Sequence, residues 1–236
     1  MTLEDPVENQ IDGVNQSQIF PSIGYTFAGG LRTALRQDPD IIMVWEIRDH
    51  ETINVAIEAS LTGHLVVSTI HTNSAAETIT RILNMGIQAF LLPATVNAII
   101  AQRLIRRLCK TCKKTFSMEE LDPYVKKNVE KALKRTAKEE LLERLSKEIL
   151  EKPLFFEPVG CKECDNTGYK GRVGIYEIME ITPVIKKMIL ESASATTINE
   201  VAIDDGMISL EQDGIIKALN GTTSLAEVYS AAKENA

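Results

Sequence analysis

Four cysteines stand two and two, Cys109/Cys112 and Cys161/Cys164, each pair separated by two residues, and they are all the cysteines of the 236-residue chain. Two intervening residues let both thiolates of a tight turn reach one ion, and two such turns complete four-coordination at about 2.3 Å per Zn–S bond. The pattern predicts one structural zinc site with Cys109, Cys112, Cys161 and Cys164 as ligands. The alternatives are an independent redox dithiol at each pair, or inert buried thiols. A reducing compartment favours the metal. The 48 residues between the knuckles exceed a zinc-ribbon gap, so an insert must leave the site and return.

The other residues suited to chemistry are acids and one histidine. One cluster runs from Thr2 through Glu4 and Asp5 to Glu8, a second is Glu46-Ile47-Arg48-Asp49, and a third is His71-Thr72-Asn73. Carboxylates at the end of a buried strand suit a magnesium-nucleotide site, where one acid holds the metal or its water shell and another orients the attacking water. A histidine beside them suits a hydrogen bond to a terminal phosphate. Each cluster taken alone reads equally well as a solvated loop. His50 and His64 lack such neighbours and read as structural or surface residues.

The elements that must position these groups alternate between strand and helix. Residues 41–44 and 64–70 are apolar runs with the look of buried parallel strands. Helices are expected at 27–37, at 51–61 behind the cap Asp49, and from a Ser74/Glu77 capping box to just before Gly86. A longer helix is expected over 94–108, with Pro93 near its start. Such alternation predicts an α/β fold with a parallel sheet covered on both faces, and ligands gather outside the carboxyl ends of its strands. If the strands are neighbours, the three polar clusters meet there. Residues 124–151 read as one amphipathic helix within the insert, either packed or offered as a contact surface. The basic run Arg103, Arg106, Arg107, Lys110, Lys113 and Lys114 reads as a solvated face, and short helices follow from 182, including 198–203 and 210–219 with Gly221 as a stop.

A net charge of −7 argues against nucleic acid as a partner. The greasiest stretch, 90–105, contains Pro93, Asn97, Gln102 and Arg103 and fails as a membrane span. With no N-terminal signal-like segment, a cytoplasmic location is expected.

The segments TLEDPVE at 2–8, LRQDPDIIMVWEIRD at 35–49 and GHLVVSTIHTN at 63–73 resemble, in order, the Asp box, Walker B segment and His box of the secretion ATPases of type II secretion and type IV pilus assembly. The cysteine pairs and the stretch from Cys164 to Glu177 are similar to that family's C-terminal domain. The resemblance implies a partial RecA-like parallel sheet flanked by helices over 1–108, a tetracysteine zinc module over 109–180 with a helical insert at 121–152, and a mostly helical region over 181–236. It implies Mg²⁺ and ATP for the parent protein, a hexameric homo-oligomer, an inner-membrane platform protein as partner, and a cytoplasmic position peripheral to that membrane. Zinc knuckles point to assembly or secretion motors rather than retraction motors.

Carried over residue by residue, Glu46 polarises the attacking water and Glu4 assists it. Asp5, Glu8, His71 and Arg48 serve the nucleotide and Mg²⁺, and Arg32, Arg36 and Arg81 are candidates for contacts across a subunit interface. Two departures stand against this. The sequence has no Gly-Lys dipeptide and so no phosphate-cradling loop, and Trp45 stands where the family carries glycine. The expectation is a C-terminal fragment lacking the Walker A loop and inactive alone, with an indole able to displace Glu46. The alternative is a non-catalytic zinc-stabilised interaction module or a degenerate motor subunit.

Overall fold

The computed structural model describes residues 1–233, so the last three residues of the helical region expected over 181–236 lie outside the described residues. In chain order the first elements are β1 (Thr2–Glu4), β2 (Gln16–Gln18), α1 (Phe27–Ala34), β3 (Ile41–Val44), α2 (His50–Leu61), β4 (Leu65–Ser68), α3 (Ala75–Asn84) and α4 (Leu92–Thr95). Next come β5 (Ala98–Leu108), β6 (Lys114–Ser117), α5 (Pro123–Arg135), α6 (Lys138–Arg144), α7 (Lys147–Glu151), β7 (Leu154–Glu157) and β8 (Tyr169–Glu180). Four helices complete the chain: α8 (Pro183–Leu190), α9 (Ala195–Asp204), α10 (Leu210–Leu219) and α11 (Leu225–Lys233). They fall into two compact units, one of residues 1–97 with 181–198 and the other of 98–180 with the described residues from 199 onward.

The first unit carries a parallel sheet in the order β2-β1-β3-β4. Its helices start where side-chain oxygens meet free N–H groups. Thr26 caps α1, Asp49 accepts from the Thr52 amide at 2.8 Å to cap α2, and Ser74 caps α3 through the Glu77 amide. The box expected at Ser74/Glu77 is only half formed, because the Glu77 carboxylate accepts from the Asn73 amide, one residue before the cap. Leu3, Ile42 and Val44 are fully buried on one face of the sheet. Helix α1 lies over Leu3, and a Cβ on Gly30 would stand 3.1 Å from the Leu3 side chain.

The expectation of a sheet covered on both faces is corrected here. Ile41 pairs with Leu65 and Met43 with Val67, which puts these side chains together on one face, and Ile41, Leu65 and Val67 are 51%, 50% and 49% exposed. Within the unit, the Leu3 face is covered and the Ile41 face is left open.

In the second unit β5 pairs antiparallel with β8, from Ala98 opposite Glu180 to Leu108 opposite Tyr169. The helix expected over 94–108 is therefore wrong beyond Thr95. A short run with apolar residues at mixed spacing fits either period, and β-branched residues facing a matching strand decide it. Ile105, Ile175 and Met179 turn into the core, while Ile100 and Leu104 face outward. The single helix expected over 124–151 is three, α5 to α7. It breaks at Thr136, whose hydroxyl donates to the Ala132 carbonyl and accepts from Gln212 of α10, and again at Ser146, which caps α7. Val129, Ala132 and Leu145 of this insert share one core with Phe155, Ile175, Ile215, Leu219 and Val228. Helices α9 and α10 match the expected ones, and Gly221, at φ +65°, follows the end of α10. Among the described residues, no helix is long and apolar enough to cross a membrane.

Candidate functional site

The strand order β1-β3-β4 sets the carboxyl ends bearing Glu4, Glu46 and His71 side by side. Hydrogen bonds carry the alignment past the strands. The Trp45 amide donates to the Leu3 carbonyl at 2.9 Å, the Ile47 amide to the Thr69 carbonyl at 3.0 Å, and the Thr69 hydroxyl to the Trp45 carbonyl. Ser68 adds a bond from its hydroxyl to the Val44 carbonyl at 2.9 Å. The chain after β3 is thereby held against the chain after β4, and Trp45 is built into that ladder without carrying Glu46 away from His71.

Glu46 is 5% exposed, and its two oxygens are divided between two neighbours. His71 Nε2 lies 2.8 Å from Oε1, and Arg48 Nη2 lies 2.5 Å from Oε2. The Arg48 hydrogen bond holds the Glu46 carboxyl below the usual carboxylate range despite its burial. Glu46 in turn raises the Arg48 guanidinium, and the charge of Asp5 adds to that effect. Arg48 and His71 are themselves largely exposed. The cleft they border has a volume of about 340 Å³ and is lined by Glu46, Ile47, Arg48, Ile70, His71 and Arg81.

Of the site residues expected from sequence, the cleft gathers Glu46, Arg48, His71 and Arg81. Glu4 is buried in a separate hydrogen-bonded set, where its Oε1 accepts from Thr2 Oγ1 at 2.5 Å and from Gln16 Nε2 at 2.9 Å. Glu8 is exposed in the loop between β1 and β2, Arg32 pairs with Glu51 at 2.9 Å, and Arg36 is exposed. Sequence reasoning missed the residues that hold the acids and the ladder, Gln16, Ser68 and Thr69. Their types are ordinary in strands and loops, and only the strand order reveals what they bond.

The cysteines form the second site. The knuckle at Cys109 and Cys112 joins β5 to β6, and the knuckle at Cys161 and Cys164 joins β7 to β8, so each links one strand of each antiparallel pair. All four Sγ atoms lie within 4.8 Å of one another. Cys109 and Cys161 are 3.9 Å apart, Cys112 and Cys164 3.7 Å, and Cys161 and Cys164 3.7 Å. Four sulfurs each ~2.3 Å from one zinc stand ~3.8 Å apart along a tetrahedron's edges, whereas a disulfide brings sulfurs to ~2.05 Å. The donor set fits a zinc ion.

Backbone amides already point at the sulfurs. Gly160 N donates to Cys112 Sγ at 3.3 Å, and Cys161 N and Gly168 N both donate to Cys164 Sγ at 3.2 Å. Gly168 has φ +76°, and a Cβ there would stand 2.3 Å from the Pro158 side chain, so only glycine brings this amide to the sulfur. Burial pushes the Cys164 thiol up, but the Cys161 and Gly168 amides outweigh it and bring it down to about 6. Burial pushes Cys112 up to about 11. A bound cation would favour the thiolate at every position.

Comparison with known proteins shows the family. Residues 1–230 match the family described as Type II/IV secretion system protein. The chain is similar to the type IV pilus assembly ATPase PilB of Acinetobacter baylyi, 49% identical over 99% of this chain and 38% of that protein. It is also similar to the type II secretion system protein E of Aeromonas hydrophila, 43% identical over 100% of this chain and 43% of that protein. Among solved structures, the pilus retraction motor PilT with bound ADP aligns with a TM-score of 0.62 and 25% identity, over 98% of this chain and 51% of that one. The chain thus spans well under half the length of these two curated relatives.

Proposed function

This chain belongs to the type II/IV secretion system protein family, and from that premise we propose that it is the Walker B, His-box and zinc-bearing part of a hexameric ATPase that powers type IV pilus assembly or type II protein secretion. The observation that carries the reading is the buried Glu46 carboxylate at the end of β3, held between Arg48 and His71 of the adjoining strand end. A carboxylate kept ionised at the bottom of a cleft suits the group that orients and polarises an attacking water, because in phosphoryl transfer the protein acts chiefly by positioning and charge. Glu4 assists from the next strand, while Asp5 and Glu8 face the hydration shell of Mg²⁺. His71 donates toward the terminal phosphate of ATP, and Arg32 and Arg36 lie toward a neighbouring subunit. Zinc, held by Cys109, Cys112, Cys161 and Cys164, is structural. The motor works at the cytoplasmic side of the inner membrane against a platform membrane protein.

The relatives are more than twice as long as this chain, and the open sheet face around Ile41, Leu65 and Val67 suits a partial RecA-like sheet continued by further chain. That remainder would bring the phosphate-cradling loop. A second reading draws on the missing Gly-Lys dipeptide and on Trp45: a zinc-stabilised interaction module or degenerate motor subunit without catalysis.

The two readings separate in the cell. Replacing Glu46→Gln at the native locus should abolish pilus assembly or exoprotein secretion while protein level is kept. Full piliation and secretion in that strain, together with their loss on Cys164→Ser, would leave only the interaction module standing.

A further inference from the structure

Arg81, a candidate for contacts across a subunit interface, lines the same cleft as Glu46, Arg48 and His71 of its own chain. The charges there do not cancel. Arg48 is bound to Glu46 at 2.5 Å, so the one carboxylate lining the cleft is already matched by one guanidinium. Arg81 is exposed, and among the described residues its side chain makes no hydrogen bond or ion pair. It stands in the last turn of α3, where any cation is favoured by the helix dipole. That accounts for a positive residue near the helix end. It leaves unexplained why this one lines a cleft with an exposed imidazole and a second guanidinium.

We propose that Arg81 is an in-cis oxyanion contact, a guanidinium that receives the oxygens of a phosphoryl group beside Glu46 and His71. A guanidinium offers a planar fork of donors matched to two oxygens of a phosphate, while the imidazole, whose Nε2 faces Glu46, borders the same space. Arg48, occupied by Glu46, contributes charge rather than a free fork. This assignment rests on the ATPase reading, yet it is tested on the purified chain without nucleotide.

The probe is inorganic phosphate, titrated at low ionic strength, where such contacts are least screened. Binding is followed by calorimetry and by the Nε–H resonance of Arg81. Wild type should bind with a shift of that resonance. Arg81→Gln should lose at least tenfold in affinity at an unchanged melting temperature, Arg81→Lys should recover part of it, and Arg172→Gln, an exposed arginine of the second unit, should bind as wild type does. The assignment is overturned if Arg81→Gln binds phosphate undiminished, if wild type binds none, or if Arg172→Gln loses as much. Failure of the motor reading shows separately, as normal piliation and secretion in the Glu46→Gln strain.

Discussion

At the scale of single residues, the two sites differ in how much of them a sequence can display. A Cys-x-x-Cys turn is local, so the spacing alone brings each sulfur pair within reach of one ion, and the sulfurs stand 3.7 to 3.9 Å apart in the structure. Glu46 and His71 are 25 positions apart, and their meeting at 2.8 Å depends on β3 and β4 being neighbours. The motifs single both residues out, but their contact was not legible. Arg81 was legible as a candidate interface arginine but not as a cleft residue, because its place in the cleft depends on how α3 is set after the His71 loop. The cysteine site also yields a prediction about single atoms. Cys164 accepts two backbone N–H bonds and lies 3.7 Å from two of the three other sulfurs, so it is the ligand whose loss breaks most of the cluster. Purified wild type should carry about one zinc per chain, and Cys164→Ser should carry almost none and unfold at lower denaturant by several kcal/mol, since metal-binding energy is folding energy in such modules. Metal analysis beside a urea titration checks both. Metal-free wild-type protein of unchanged stability would remove zinc from the account.

At the scale of elements, the second unit shows why one stretch was misread and another was not. Residues 210–219 carry helical spacing, and Ser209 and Gln212 form a reciprocal cap, so α10 declares itself locally. Residues 98–108 owe their extended form to β8, which lies about 70 residues further on and is invisible to a local pattern. The insert depends on long-range contacts in the same way. Asp213 on α10 is 1% exposed, and its carboxylate accepts from Arg144 of α6 at 3.0 Å, from Lys217 at 2.5 Å and from the Tyr176 amide of β8 at 2.8 Å. One buried acid thus ties the insert, α10 and the long strand pair together. Removing one partner from a buried pair strands the others, at about 3–5 kcal/mol, whereas a partly exposed partner is worth nearer ~1 kcal/mol. Asp213→Ala should therefore destabilise far more than Arg144→Ala, and the double variant should fall short of the sum. Chemical denaturation of the three variants reads this out. Equal effects of the two single changes would mean that the network is held from the α6 side instead.

At the scale of the whole molecule, the alternation of strand and helix announced a parallel sheet, and the sheet is there in the order β2-β1-β3-β4. What the alternation did not show is that one face is left open. Period-two patterns fix which residues share a face, but not whether anything lies against it. Ile41, Leu65 and Val67 are each about half exposed, on the last two strands of the sheet and with β4 at its edge. An exposed apolar face that runs to an edge strand pairs readily with other chains, and folded proteins rarely leave one bare. The relatives' greater length suggests a cover, and the two possibilities predict effects of opposite sign. For the chain as it stands, Leu65→Thr with Val67→Thr keeps β-forming side chains while removing apolar surface from water, so the soluble monomer fraction should rise and the melting temperature should hold. If the chain is part of a longer protein, as proposed, a covered face would make the same pair of changes there a loss of buried apolar contact, lowering the melting temperature by several degrees. Light scattering on the chain and calorimetry on the longer protein together decide the matter. A double variant that leaves both unchanged would mean that the face is bare by nature and that the sheet is already complete.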